Sequence, residues 1–293
     1  YALKALADIG ALDDTAMTVF LTGEEEMPGS DITQARAPLV AAANKADVAL
    51  NFEPGEPGVA VTSRRGYTGW RLQTTGRSSH SSQVLSADVG AGAIYEISRI
   101  LTRFYETLRK GEPLLTFNVG AIVGGTEASF DSDETAGEVF GKVNVVPVRA
   151  ITEGDIRAIS ADQVERTLMR MREIVSQNLP HTDAELTVFD GYPPMAPTVG
   201  NGQLLSLYSA ISQAVGAGAL EPNDPLQRGA SDISFAAPNA NAALDGLGGY
   251  GDGAHTTDEW IDLETMRQAT HRAAVLLYRL TREDAPRFEA AKQ

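Results

Sequence analysis

Three consecutive carboxylates, Glu24, Glu25 and Glu26, follow the apolar run Val19-Phe20-Leu21 and precede Met27-Pro28-Gly29. Like charges on adjacent residues repel, so such a triplet needs solvent, a proton or a cation to compensate it. A further carboxylate, Glu53, follows the apolar run Asp47-Val48-Ala49-Leu50-Asn51-Phe52 and is itself followed by Pro54-Gly55. A histidine, His255, stands just past the glycine-rich stretch 248–253. Each has an ordinary reading from residue type alone: an acidic surface turn, a turn carboxylate, an imidazole that satisfies its own loop. Taken together, two carboxylates and a neutral imidazole are donors that suit a zinc ion. Of the other histidines, His80 lies among serines and reads as a polar turn residue. His181 follows Pro180 and reads as a surface residue, and His271 reads as structural within the last helical stretch.

The elements that must position these groups follow from periodicity. Met17–Leu21 is short, apolar and β-branched, which predicts a buried strand with the carboxylates at its carboxyl end. Residues 33–46 are Ala-rich with helical spacing, and 47–52 predicts a second strand. Helix between two apolar strands is the pattern of a parallel sheet, whose carboxyl edge is where ligands bind in open α/β folds. Arg64-Arg65-Gly66 marks a boundary. Beyond it, 67–75 alternates in the manner of an antiparallel strand. A long helix is predicted over 88–108 from the stripe Ile94, Ile97, Leu101, Phe104, Tyr105 and Leu108. Strands are predicted over 114–123 and 142–151, with 155–160 extending the sheet. A helix over 161–178 and a strand over 184–189 complete a small ferredoxin-like α+β unit inserted in a larger one. The Pro-rich stretch Tyr192–Pro197 returns the chain to the parent domain. There a helix is predicted over 202–215, and a last helix begins at Thr256, with Glu259 completing a capping box, and runs to about Arg282.

The chain has 293 residues, 43% of them hydrophobic, enough to bury a sizeable core, and no apolar run approaches membrane-spanning length. With 39 acidic against 24 basic residues the net charge is -15, which argues against nucleic acid or an anionic membrane as the main partner. Cysteine is absent, so no disulfide, thiolate ligand or thiol nucleophile exists, and the compartment stays open. The chain opens on Tyr1 in what reads as the middle of a helix, so it is expected to begin inside a domain.

An ordered set of short motifs carries a resemblance. Thr22-Gly23-Glu24-Glu25-Glu26, Phe52-Glu53-Pro54-Gly55, Gly76-Arg77-Ser78-Ser79-His80-Ser81-Ser82, Asn144-Val145-Val146-Pro147 before Asp155-Ile156-Arg157, and Gly253-Ala254-His255-Thr256-Thr257-Asp258-Glu259 occur in that order. The sequence resembles the M20 family of zinc peptidases and amidohydrolases, near its glutamate carboxypeptidase and aminoacylase members, over nearly its whole length. The resemblance implies a zinc-peptidase-like α/β catalytic domain with a mostly parallel central sheet, at 1–66 and 190–293. It also implies an inserted ferredoxin-like lid and dimerisation domain at 67–189. Glu25 matches the general base, which takes a proton from the metal-activated water and returns it to the leaving amine. Glu26 matches a ligand of one zinc, and Glu53 and His255 match ligands of the other. His80 matches the histidine that reaches across a dimer to stabilise the oxyanion. Asn144 and Arg157 match lid residues that hold the substrate's free carboxylate. The loop Gly229-Ala230-Ser231-Asp232 matches a family loop near the substrate, to which no role is assigned. The implied partners are a peptide or N-acyl amino acid substrate and a second copy of the chain.

The family pattern carries two further ligands upstream, a His in a His-x-Asp motif and a bridging Asp, and neither occurs in this sequence. The partial two-zinc site leaves a second expectation beside the hydrolase: a non-catalytic remnant acting as a dimeric scaffold or binding module. Pro28, inserted between Met27 and Gly29, is a smaller departure.

Overall fold

The structure is a computed structural model that describes residues 1–23, 31–131 and 136–289. The chain divides into two compact units at Arg65/Gly66 and Gly191/Tyr192: a parent unit, Tyr1–Arg65 with Tyr192–Gln293, and an inserted unit, Gly66–Gly191.

The parent unit opens with helix α1 (Ala2–Asp8), stopped just before Gly10, whose φ of +65° takes the chain out of the helix. Met17–Leu21 is not a strand: Val19 and Leu21 are exposed, and no ladder forms there. A strand persists only where its backbone groups find partners. Here residues 18–22 lie along Val48–Asn51 across a cavity of about 160 Å³ instead of pairing with it. Helix α2 (Ile32–Ala43) follows, its N-cap Asp31 accepting from the Gln34 N–H at 2.9 Å. Strands β1 (Val48–Leu50) and β2 (Val59–Ala60) complete this stretch.

The inserted unit runs β3 (Gly66–Gly76), α3 (Ala93–Leu108), β4 (Thr116–Gly125), the hairpin β5 (Glu127–Phe130) and β6 (Gly137–Phe140), β7 (Arg149–Ala158), α4 (Ala161–Val175) and β8 (Thr182–Phe189). Its main sheet is antiparallel throughout, in the order β4-β7-β3-β8. With the hairpin set aside this is βαββαβ with strand order 4-1-3-2, the ferredoxin-like arrangement. Because side chains alternate across a strand, Trp70 and Leu72 of β3 and Ala150, Ile156 and Ala158 of β7 turn to one face. The stripes of α3 (Ile97, Ile100, Phe104, Leu108) and α4 (Leu168, Met171, Val175) cover them. Trp70 stacks on Phe117 at 5.0 Å between centroids, and Phe104 meets both rings edge-on. Each such pair adds about 0.5–1.5 kcal/mol beyond burial. Opposite Trp70 stands Gly154, where a Cβ would lie 2.0 Å from the Asn118 carbonyl oxygen and 2.5 Å from Trp70, so only glycine fits.

Two expected boundaries move in this unit. Helix α3 begins at Ala93, not at 88, because Gly90 and Gly92 hold φ of +75° and +80°. The expected strand over 142–151 is β7, which starts at Arg149: residues 143–144 form a turn, Val145 bridges to His80, and Val148 meets the end of the sheet through Gly76 and Gly125. The β5–β6 hairpin was not anticipated.

The chain returns to the parent unit through α5 (Val199–Ala214), β9 (Glu221–Pro222), α6 (Ile233–Ala236), β10 (Ala242–Leu244), β11 (Gly251–Asp252), β12 (Trp260–Ile261) and α7 (Leu263–Leu280). Leu204, Tyr208, Leu244, Leu247 and Leu276 form its core. Among the described residues parallel pairing is confined to β1 with β10, β2 with β9 and a bridge of Gly55 to Tyr250, so a large parallel central sheet is not present there. The last helix also starts later than its spacing suggests. Trp260 and Ile261 pair back onto Gly251 and Asp252, which removes them from the helix, and Asp262 caps α7 by accepting from Glu264 and Thr265 N–H. Ile261 and Met266 are accordingly exposed, whereas Ala269, Ala273 and Leu276 are buried as expected.

Candidate functional site

Glu53 follows β1, and the glycine-rich stretch that leads to His255 follows β10, the parallel partner of β1. Past β1, residues 51–55 run beside 244–249 and are laced to them by backbone bonds. Asn51 N–H donates to the Leu244 carbonyl at 2.9 Å, and Gly248 N–H donates to the Glu53 carbonyl at 2.9 Å. Gly55 N–H donates to the Gly249 carbonyl at 3.0 Å. A Cβ on Gly248 would sit 2.7 Å from the Glu53 carbonyl oxygen and 2.8 Å from that of Phe52. The glycine-rich stretch thus exists so that two backbones can touch, and its consequence is to fix where the half-buried Glu53 leaves the chain.

The same stretch then becomes the β11–β12 hairpin, and His255 is at its turn, exposed, with φ of +66°. Thr256 does not start a helix. Its N–H and Oγ–H both donate to the Gly253 carbonyl, at 3.1 and 2.7 Å, and so close the turn that carries His255. A left-handed conformation is unfavourable for a side chain with a Cβ, so the turn must be over-determined by its own bonds to hold it.

Glu25 and Glu26 lie outside the described residues. Carboxylate oxygen and imidazole nitrogen, of which Glu53 and His255 carry one each, suit zinc. Among the described residues no three His, Cys, Asp or Glu side chains stand close enough together to hold a metal ion.

The polar residues buried behind this edge were not singled out from the sequence. Arg36 donates from Nε to Asp232 Oδ1 at 2.7 Å and from Nη1 to the Gly23 carbonyl at 3.1 Å. Burial works against the Arg36 charge, but the hydrogen bond and charge of Asp232, with Tyr192 beside them, outweigh it and hold the guanidinium pKa above its ordinary value. Arg64 donates to Asp245 Oδ2 at 2.6 Å, and Ser231 Oγ–H donates to the same oxygen at 2.8 Å. The only signal was the Gly229–Asp232 motif itself, which gives no hint of partners nearly two hundred residues away.

In the inserted unit His80 and Asn144 are neighbours. Ser81 N–H donates to the Asn144 carbonyl and Val146 N–H to the Ser79 carbonyl, both at 2.9 Å, so the two exposed residues stand beside the bridge of His80 to Val145. Ser82 N–H donates to His80 Nδ1 at 3.2 Å, which makes Nδ1 the acceptor and puts the proton of the neutral ring on Nε2. Arg157 is elsewhere. It stands opposite Tyr67 at the far end of β7, paired with Asp155 at 2.9 Å and 4.7 Å above the Tyr67 ring. The strand from Arg149 to Arg157 spans about 26 Å. The expected pair Asn144 and Arg157 therefore does not meet within one chain. His181 donates from Nε2 to the Ala87 carbonyl at 2.6 Å, and His271 is exposed on α7.

Residues 62–183 match the M20 peptidase dimerisation domain. The chain resembles several solved peptidases and amidases in fold. It superposes on aminopeptidase PepT from Bacillus cereus with a TM-score of 0.68 at 15% identity, covering 94% of this chain and 67% of that one. A tripeptidase from Staphylococcus aureus matches with a TM-score of 0.55 at 16% identity, covering 80% of this chain and 57% of that one. An amidase of the hydantoinase/carbamoylase family from Burkholderia phymatum matches with 0.51 at 17% identity, covering 80% and 54%. The chain thus spans between about half and two thirds of the length of these proteins. No curated protein matches the sequence. Among the described residues no helix is long and apolar enough to cross a membrane.

Proposed function

We propose that this chain carries most of the chemistry of a zinc-dependent hydrolase of amide or peptide bonds, of the carboxypeptidase or N-acyl amino acid hydrolase type. The observation that supports the reading is the backbone lacing of the Glu53 turn to the glycine-rich stretch that leads into the His255 hairpin, in a chain whose residues 62–183 match the M20 peptidase dimerisation domain. Glu53 and His255 hold one metal ion and Glu26 another, completed by ligands this sequence does not contain. Zinc supplies Lewis acidity and a water of lowered pKa when bound. Glu25 takes the proton of the attacking water and delivers it to the leaving amine. The parent unit is the catalytic domain of a zinc-peptidase-like fold, and the inserted unit is its lid and dimerisation domain.

The separation of Arg157 from His80 and Asn144 sharpens this reading. A substrate of a few heavy atoms cannot touch both ends of a sheet about 26 Å apart. One substrate therefore meets Arg157 of one copy of the inserted unit, as a fork for its carboxylate, and His80 and Asn144 of the other copy. His80, with its proton on Nε2, donates to the oxyanion as charge develops there. The test is turnover of a panel of N-acyl amino acids and short peptides by the full-length protein, with metal content measured on the same samples. The reading predicts hydrolysis that a chelator abolishes and zinc restores. Undiminished hydrolysis after complete metal removal contradicts it.

A further inference from the structure

Glu53 and the glycine-rich stretch that leads to His255 come from separate parts of the chain, and one short loop is bonded just ahead of both. Ser231 Oγ accepts from Asn51 Nδ2 at 3.2 Å, two residues ahead of Glu53. The same hydroxyl donates to Asp245 Oδ2, and the other oxygen of Asp245 accepts the Gly246 N–H at 2.5 Å, where the glycine-rich stretch begins. Arg64 locks this arrangement by donating to Asp245 and, through Nη1, to the Gly229 carbonyl at 2.6 Å. The next loop residue, Asp232, holds Arg36, which holds the carbonyl of Gly23, the residue before Glu24. All five of these side chains are buried: Arg36 and Ser231 at 3% exposure, Arg64 at 4%, Asp232 at 5% and Asp245 at 0%.

Stability alone does not account for such a cluster. Two buried ion pairs carry a desolvation penalty that apolar side chains of similar volume would avoid. Asp232 adds to that cost, since its Oδ2 is buried without a partner. What a connected polar network supplies, and an apolar filling does not, is a single defined geometry. We propose that Ser231 is a positioning residue of the metal site: through Asn51 and Asp245 it fixes the directions in which the segments bearing Glu53 and His255 leave the fold. This rests on the zinc reading above.

The test measures zinc affinity in the full-length protein by competition with a chromophoric chelator, beside the thermal midpoint of the metal-free form. Ser231→Ala removes the link between Asn51 and Asp245 but leaves every charge in place, with Asp245 still held by Arg64 and Gly246. Its zinc affinity is expected to fall by about tenfold or more, the size of effect seen when groups behind metal ligands are removed. The metal-free midpoint is expected to fall by only about 2–4 °C. Asn51→Ala breaks the same bond from a half-buried position and serves if Ser231→Ala does not fold; the same loss of affinity is expected. Ser231→Thr keeps the hydroxyl and should restore binding. A purely structural hydroxyl would lower the midpoint and leave zinc affinity at the wild-type value, and that result overturns the proposal. Glu53→Gln and His255→Ala separate the two levels. If they lose zinc while Ser231→Ala and Asn51→Ala keep it, only the positioning role falls. If they bind as tightly as wild type, the metal reading falls and takes the positioning role with it.

Discussion

The inserted unit buries Trp70, Phe104, Ile156 and Met171 between one sheet face and two helices, whereas the parent unit buries Arg36, Arg64, Asp232 and Asp245 behind its strand ends. In the first, each buried side chain is predictable from its neighbours three or four positions away along a helix, or two along a strand. In the second, the buried groups are paired across 196 residues for Arg36 and Asp232 and 181 for Arg64 and Asp245. A continuous four-stranded antiparallel sheet supports the inserted unit, while among the described residues the parent unit has two-stranded sheets alone, two parallel and one antiparallel. The contrast fits a division of labour in which one unit must be rigid and self-contained and the other must aim side chains.

The comparison breaks most visibly under core substitutions. Phe104→Ala should destabilise the inserted unit by about 3–5 kcal/mol, since it empties the centre of an aromatic cluster. Arg36→Met should cost the parent unit a similar amount, about 3–5 kcal/mol, because it strands a buried carboxylate. The double variant Arg36→Met with Asp232→Leu should recover most of that loss, because the desolvation penalty goes with the pair. Urea unfolding of the three variants checks this. A double variant no more stable than Arg36→Met would mean that the parent unit needs its buried charges for stability itself.

A smaller effect separates the two expected starts of α7. Asp262→Ala should cost about 1 kcal/mol by removing the cap. Thr256→Ala should leave helix stability unchanged and disturb only the His255 turn. Amide exchange over 263–267 reads the first, and equal exchange in both variants would return the helix start to Thr256.

The smallest effect is electrostatic. Glu264 pairs with Arg267 one turn along α7, and that hydrogen bond, together with Gln268 and the charge of His271, holds its carboxyl at about 2. A folded pKa below the unfolded one means that this interaction helps above the ordinary carboxylate range, near 4.5, and is lost as pH falls toward 2. The group is fully exposed, so salt should weaken the effect. A side-chain NMR titration of Glu264 with its midpoint near 4.5 would show that the pair does not form.

Periodicity made the inserted unit legible almost to its strand order, because its core is built from local repeats. It failed at Ala93 and Leu263, where two left-handed glycines and a two-residue hairpin displaced helix starts that hydrophobic spacing alone puts earlier. It failed at Met17–Leu21 for another reason: an apolar run states a preference for burial, not whether a backbone partner is present. The turns that carry Glu53 and His255 were legible because Pro-Gly and a run of glycines mark turns. The Ser231–Asp245–Arg64 and Asp232–Arg36 links were not, since no local pattern announces a partner from a distant part of the chain.

The most direct test of the account is complementation between two inactive variants of the full-length protein, His80→Ala and Glu25→Gln. If each site draws its oxyanion donor from the partner, a mixed dimer contains one site with both an intact Glu25 and an intact His80. Equal mixing with verified subunit exchange should then return roughly a quarter of wild-type activity, since half the dimers are mixed and each has one working site of two. No return of activity after verified exchange would contradict the shared site and leave His80 acting within its own chain or simply closing its serine-rich turn.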